Sequence, residues 1–207
     1  YIVAIESLIK LDRNEEASEE IRKFMAFLGR NYTGREKNNE LLALGKRAID
    51  NKDYRLAIEV YDNIDDTDDF VMARKDNGKG IAFAMLNMFD ESLEAYERAV
   101  DLYIDAEKYL DAQQTAAGAA SNLSIAAHYE LSLKWYEKAF ALSDRFKLDK
   151  DAKLAISYQN YAVTLYNIGQ LDESIAAMEQ ACDIRRELFG DDDDMLTNEY
   201  QPLLDQL

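Results

Sequence analysis

One histidine, one cysteine and two runs of acid are what this 207-residue chain offers to catalysis or metal binding. His128 would need an acid and a nucleophile for a catalytic triad, or further ligands for zinc. The only cysteine, Cys182, stands 54 residues away in sequence. Neither comes with partners at a ligand spacing. His128 reads as a solvated turn residue and Cys182 as a small apolar filler. Asp191–Asp194 offers four adjacent carboxylates, but calcium loops space their oxygens as D-x-D-x-D-G. The run reads instead as an acidic cap for a final helix, and DDTDD at 65–69 reads the same way. No glycine-rich phosphate loop follows a strand. No catalytic residue, no metal site and no cofactor is expected, and the chain reads as a non-enzyme.

Binding is the chemistry left, and composition narrows the partner. Lys and Arg number 24 against 41 Asp and Glu, a net charge of −17. Such a surface repels phosphates, so neither nucleic acid nor anionic lipid is an expected partner. A basic protein or peptide is favoured at low salt. Hydrophobic residues make up 48% of the chain, enough for a folded core. One proline and eight glycines leave few breakers, which favours helices. A lone cysteine fits a reducing compartment, here read as the cytoplasm. No run approaches the roughly 18 apolar residues of a membrane span. The chain opens on YIVAIESLI with no Met at position 1, and it is expected to be cut from a longer protein.

The elements that would position a binding face are repeated. FDESLEAYERAV (89–100) returns as LDESIAAMEQAC (171–182), DYRLAIEVYDNI (53–64) and YELSLKWYEKAF (129–140), with a fainter NEEASEEIRKF at 14–24. Aligning Ala17, Ala57, Ser92, Ser132 and Ser174 gives steps of 40, 35, 40 and 42 residues. A unit of this length cannot bury its apolar face alone and stacks on its neighbours. Phe89, Leu93, Tyr96 and Val100 fall on one helical stripe. Upstream of each phrase lies a second helical segment: 40–52, 74–87, 115–127 and 156–169. Each carries a small residue twelve positions before the anchor: Gly45, Gly80, Ala120, Ala162. Glycine inside a helix costs about 1 kcal/mol against alanine, so Gly45 and Gly80 are expected where helices touch closely. Turns of a few residues, such as NKD at 51–53, make each pair antiparallel.

This pattern resembles the tetratricopeptide repeat (TPR) over about residues 40–190. The series Gly80, Phe89, Ser92, Tyr96, Ala99 matches its small and aromatic positions. So do Ala120, Tyr129, Ser132, Tyr136, Ala139, and Ala162, Leu171, Ser174, Met178, Ala181. Gly45, Tyr54, Ala57, Tyr61, Ile64 departs only at its last place. The family's proline after the second helix is absent, and the steps of 40, 40 and 42 residues run well past the usual length. The phrase ACDIRRELFG is similar to the long repeats of kinesin light chains. The resemblance implies an all-α, right-handed α-α superhelix of about five helix-turn-helix repeats, forming one domain over 1–207. Residues 1–30 would be a partial repeat, 36–66, 69–106, 108–147 and 150–190 full repeats, and 193–206 a capping helix that Pro202 kinks or shortens.

The resemblance also implies a peptide or partner protein along the first-helix faces. The expected groove residues are Asn39, Lys46, Arg74, Asn77, Gln114, Ser121, Gln159, Asn160, Tyr166 and Asn167. Most are amides, which carry both donor and acceptor and suit the backbone of an extended peptide. Only Lys46, Arg74 and Asn77 resemble a terminal-carboxylate clamp, and a tight clamp is not expected. Two alternatives stay open: the peptide-sensing domain of a bacterial TPR regulator, or the substrate-positioning arm of a larger enzyme.

Overall fold

The computed structural model describes residues 1–204, and among them every regular element is a helix. The chain divides into two compact units, 1–108 and 109–207. The first holds α1 (Ile2–Lys10), α2 (Asn14–Asn31), α3 (Gly34–Asp50), α4 (Tyr54–Asp62), α5 (Asp69–Met85) and α6 (Phe89–Asp105). The second holds α7 (Tyr109–Ile125), α8 (Tyr129–Phe146), α9 (Ala152–Asn167), α10 (Leu171–Phe189), a π-helical turn Leu196–Tyr200 and α11 (Gln201–Leu204). Helices pack as adjacent pairs. Within a unit the first helices of successive pairs also touch, α3 on α5 and α7 on α9.

The anchors explain the pairing. Ser92 Oγ donates to the carbonyl of Gly80 at 2.8 Å, Ser132 to Ala120 at 2.7 Å and Ser174 to Ala162 at 2.8 Å. A small residue on each helix brings the two backbones near, and the buried hydroxyl then finds an acceptor twelve residues back. Ala57 keeps the close approach without the bond. The turns are alike too. A six-to-one bond closes each, Asp53 N to Ala48 O, Met88 N to Phe83 O, His128 N to Leu123 O and Gln170 N to Leu165 O. Lys52, Asn87, Ala127 and Gly169 take the left-handed conformation these turns require.

The uneven steps have a cause. Helix α4 has 9 residues, where α6 has 17 and α8 has 18. The short helix accounts for the 35-residue step. It stops before DDTDD, where Asp68 Oδ1 caps α5 by accepting from Val71 N at 3.1 Å, the capping role expected of this acidic run.

Each unit has its own core. Ile21, Leu41, Leu44, Leu56 and Val60 are fully enclosed in the first. Leu165, Met178, Cys182, Ile184, Leu196 and Tyr200 close the second. The turn after Gly190 is held by Arg185, whose Nε donates to Asp193 Oδ2 at 2.8 Å. Asp193 Oδ2 also accepts from Leu196 N at 2.9 Å, so the acidic run caps the next turn. The Arg185 guanidinium lies 4.4 Å above the ring of Phe189, the last residue of its own helix, and covers Tyr200. Pro202 follows the π-helical turn, consistent with the strain its ring places on the carbonyl four residues back. Residues 205 and 206, placed in the expected capping helix, lie outside the described residues.

Candidate functional site

The first-helix faces carry the expected residues, and each unit presents a different surface. In the first unit, α3 places Lys46 and Asp50 one turn apart, with Nζ 2.9 Å from Oδ2. Helix α5 brings Arg74 and Asn77 opposite them. Lys46, Arg74 and Asn77 line one pocket of about 360 Å³ together with Leu42, Asp50 and Tyr61. Asn39 is exposed on α3 and lies outside that lining. A second cleft of about 390 Å³ shares Lys46 and Arg74 and adds Glu6, Lys10 and Arg47. Arg47 Nη2 meets Glu6 at 2.7 Å. Arg74 faces the ring of Phe70 at 5.8 Å, and among the described residues no carboxylate lies within ion-pair distance of it.

The floor of that pocket is Tyr61 from α4, which sequence reading treats only as packing. A methyl built on Gly45 would stand 2.5 Å from the Tyr61 ring, and one on Gly78 would strike the other side of it. The two glycines clasp the ring from α3 and α5. The contact expected at Gly45 is therefore real, and Gly80 makes the same contact with Tyr96 at 2.8 Å. Burial pushes the Tyr61 phenol up, Arg74 pulls it down, and Asp50 and Tyr103 push it further up.

In the second unit none of the expected groove residues is charged, and Lys153 at the start of α9 brings an ammonium to the edge of the face. Helix α7 presents Gln114, Ala117, Gly118, Ser121 and Ile125; α9 presents Ile156, Gln159, Asn160, Val163, Tyr166 and Asn167. Gln114, Ser121, Gln159 and Asn160 are half-buried, whereas Tyr166 and Asn167 are exposed. Lys153 Nζ donates to Gln114 Oε1 at 2.7 Å, which leaves that amide its donors. A methyl built on Gly118 meets nothing within 4 Å. The floor is again a tyrosine: Tyr136 from α8 is fully buried, and its Oη completes no hydrogen bond. Burial pushes the phenol up to about 12, while Ser121 and Asn160 stand close enough to pull it back.

The residues with catalytic potential stay apart from both faces. His128 is at the surface, where it lines a shallow pocket of about 450 Å³ with Glu130, Lys134 and Ile168. Cys182 is sealed in the core of the second unit. Among the described residues no three His, Cys, Asp or Glu side chains gather as a metal site would need, and no helix is long and apolar enough to cross a membrane. The floor tyrosines were legible only as repeat positions, four residues after each small anchor.

Residues 111–187 match the family model of the tetratricopeptide repeat. No curated protein sequence matches the chain. Solved structures do. A kinesin-light-chain-like protein of Podosopora anserina with nearly identical TPR-like repeats is 13% identical, covering 90% of this chain and 93% of its own, at TM-score 0.63. The apo form of RapI is 14% identical over 98% of this chain, at TM-score 0.68. Aspartyl phosphate phosphatase F from Bacillus subtilis is 13% identical over 99%, at TM-score 0.71. The chain spans 57% and 53% of those last two. At such identities the likeness is one of fold. Residues 111–187 thus match the tetratricopeptide repeat, and the chain is similar in its all-α repeat fold to the kinesin-light-chain-like TPR structures.

Proposed function

We propose that this chain is a protein–protein interaction scaffold that holds a peptide or partner segment on its first-helix faces and performs no chemistry of its own. The observation that carries the reading is the Asn160 face. Half-buried amides and a serine stand beside a fully buried tyrosine hydroxyl, close to Ser121 and Asn160 but in full hydrogen-bond geometry with neither. Packing alone does not call for polar groups arranged this way, since an unpaired buried hydroxyl is a cost. Groove residues on both units belong to the reading: Asn39, Lys46, Arg74 and Asn77 on the first, Gln114, Ser121, Gln159, Asn160, Tyr166 and Asn167 on the second. A partner with basic character is favoured by the net charge of −17, and the cytoplasm by the lone thiol.

The test is affinity capture from cells of the source organism with the wild-type chain, Asn160→Ala and Arg74→Glu. Loss of a captured partner with unchanged melting temperature supports the scaffold. Undiminished capture by both variants overturns it. A second reading, a peptide-sensing regulatory domain, is favoured by the 98% and 99% of this chain that RapI and aspartyl phosphate phosphatase F cover. It requires an effector domain joined to these repeats in the same polypeptide. The reading of a substrate-positioning arm requires a catalytic domain there instead.

A further inference from the structure

The cleft between α1, α3 and α5 concentrates positive charge on a chain whose net charge is −17. Its volume is about 390 Å³. Its walls carry Lys10 from α1, Lys46 and Arg47 from α3 and Arg74 from α5, against two carboxylates, Glu6 and Asp50. Four cations against two anions leave two positive charges in excess. Both carboxylates are already engaged: Asp50 meets Lys46 at 2.9 Å and Glu6 meets Arg47 at 2.7 Å. Among the described residues Lys10 and Arg74 have no carboxylate within ion-pair distance. The repeat itself does not require this charge. Lys46, Asp50 and Arg74 stand at three of the eight groove positions that α3 and α5 present, four to a helix. The equivalent eight on α7 and α9 hold no ionisable group.

The pairing of Arg47 is incomplete. Its Nη1 donates to the Ala43 carbonyl at 3.1 Å and its Nη2 to Glu6 Oε1 at 2.7 Å, while Nε is buried and has no acceptor. Nε and Nη2 form one edge of the guanidinium, and such an edge grips two oxygens of a single oxyanion side by side. Glu6 fills half of it. A buried N–H left without an acceptor is a cost that packing does not call for. The Glu6 side chain is 49% exposed and belongs to a different helix pair, so it can turn out to water without disturbing α3.

We infer that this cleft receives a phosphoryl group carried on a side chain of the partner. Arg47 grips two of its oxygens, Lys10 and Arg74 balance its charge, and Glu6 is an internal occupant that the group displaces. The inference rests on the scaffold reading above and names the chemistry of one contact. A phosphorylated side chain carries close to two negative charges at pH 7, because its second ionisation lies near 6. Two charges match the excess in the cleft, whereas a carboxylate supplies one. Lys10, Glu6 and Arg47 also lie outside the residues that resemble a terminal-carboxylate clamp. The negative charge of the rest of the chain is screened beyond about 8 Å at physiological salt, so the cleft's own charges govern a group inside it. That same negative charge favours basic residues on either side of the phosphoryl group.

The experiment uses the 207-residue chain and two bead libraries, both amidated at the C-terminus so that no terminal carboxylate competes. One has a central phosphoserine between random residues; the other has serine in its place. The phosphoserine library is expected to yield binders that weaken more than about tenfold when the phosphoryl group is removed or glutamate replaces the phosphoserine. Glu6→Gln removes the internal occupant and should tighten them about threefold, whereas Lys10→Gln, at an exposed position, should weaken them about threefold with an unchanged melting temperature. Arg47→Lys keeps the charge but loses the fork, and should weaken them about tenfold. Affinity should also fall as pH drops through about 6, where the phosphoryl group takes up its second proton. Binders from the serine library alone, or binders indifferent to both Glu6→Gln and Lys10→Gln, would overturn this inference and leave the scaffold reading standing. Inorganic phosphate that competes at the concentration of the peptide would assign the cleft to free phosphate and overturn it likewise. Failure of both libraries would overturn both.

Discussion

The two units build the same surface from the same positions and finish it with opposite chemistry. At the eight equivalent groove positions the first unit places Lys46, Asp50 and Arg74, and the second places no ionisable group. Under each face lies a tyrosine at the same place in the second helix of a pair, Tyr61 or Tyr136. The first is walled in by Gly45 and Gly78. The second has Ser121 and Asn160 beside its hydroxyl. Packing fixes where a tyrosine must stand. What surrounds its hydroxyl and what covers it are free to vary, because those side chains face solvent and carry little of the core's energy.

Glycine gives the sharpest way to break the comparison. Gly78 and Gly118 both lie inside a first helix, yet a methyl meets the Tyr61 ring at one and nothing at the other. Gly78→Ala is expected to destabilise by about 3 kcal/mol, because the ring is held on both sides and cannot move aside. Gly118→Ala is expected to stabilise by about 1 kcal/mol through helix propensity alone. Urea unfolding of the two variants measures both. Equal effects would mean that the glycines do one job, and the distinction between a packed and an open floor would fall.

Alkaline pH probes the same floors more gently. Burial raises the Tyr61, Tyr136 and Tyr200 phenols, the last two to about 12. In the unfolded chain a tyrosine ionises near 10. The stability linked to these phenols is therefore complete below about pH 10 and is lost as pH rises through the folded values. A fall of about 3 kcal/mol for Tyr136 is expected across that window. Absorbance of the phenolate during thermal melts follows it. Tyr136→Phe should flatten the fall, and Tyr61→Phe should remove the share of the first unit.

How much of this could be read from the residues alone follows the same division. The pairing of helices was written in Ser92, Ser132 and Ser174 and the small residues twelve places before them, since a packing contact repeats with the repeat. Gly45 and Gly80 were legible for the same reason. Gly78 was not, because it stands two residues off the repeated position and clasps a ring from the preceding pair. The hydroxyl bonds to the Gly80, Ala120 and Ala162 carbonyls were hidden too, as serine and alanine are interchangeable in a size pattern and only one can donate. Lys46, Arg74 and Asn77 line one pocket. Asn39 sits apart because the lining begins one turn later, at Leu42. The ties that decide the charge left over, Lys46 to Asp50 and Arg47 to Glu6, depend on rotamers and on α1, which no register of the repeat encodes.

The Lys46–Asp50 pair gives the smallest expected effect and the most direct exchange between the units. Both side chains are largely exposed, 72% and 48%, so their attraction is screened and partly offset by the entropy of holding two long side chains. A double-mutant cycle with Lys46→Ala and Asp50→Ala is expected to give a coupling of about 0.4 kcal/mol that salt removes. Ser121 and Ile125 occupy the same two positions on α7. Introducing Ser121→Lys with Ile125→Asp should recreate that coupling on the second unit, because the spacing is again one helical turn and the site is again open to water. If no coupling appears on α7, the two faces differ by more than the side chains placed on them, and charge alone does not set the units apart.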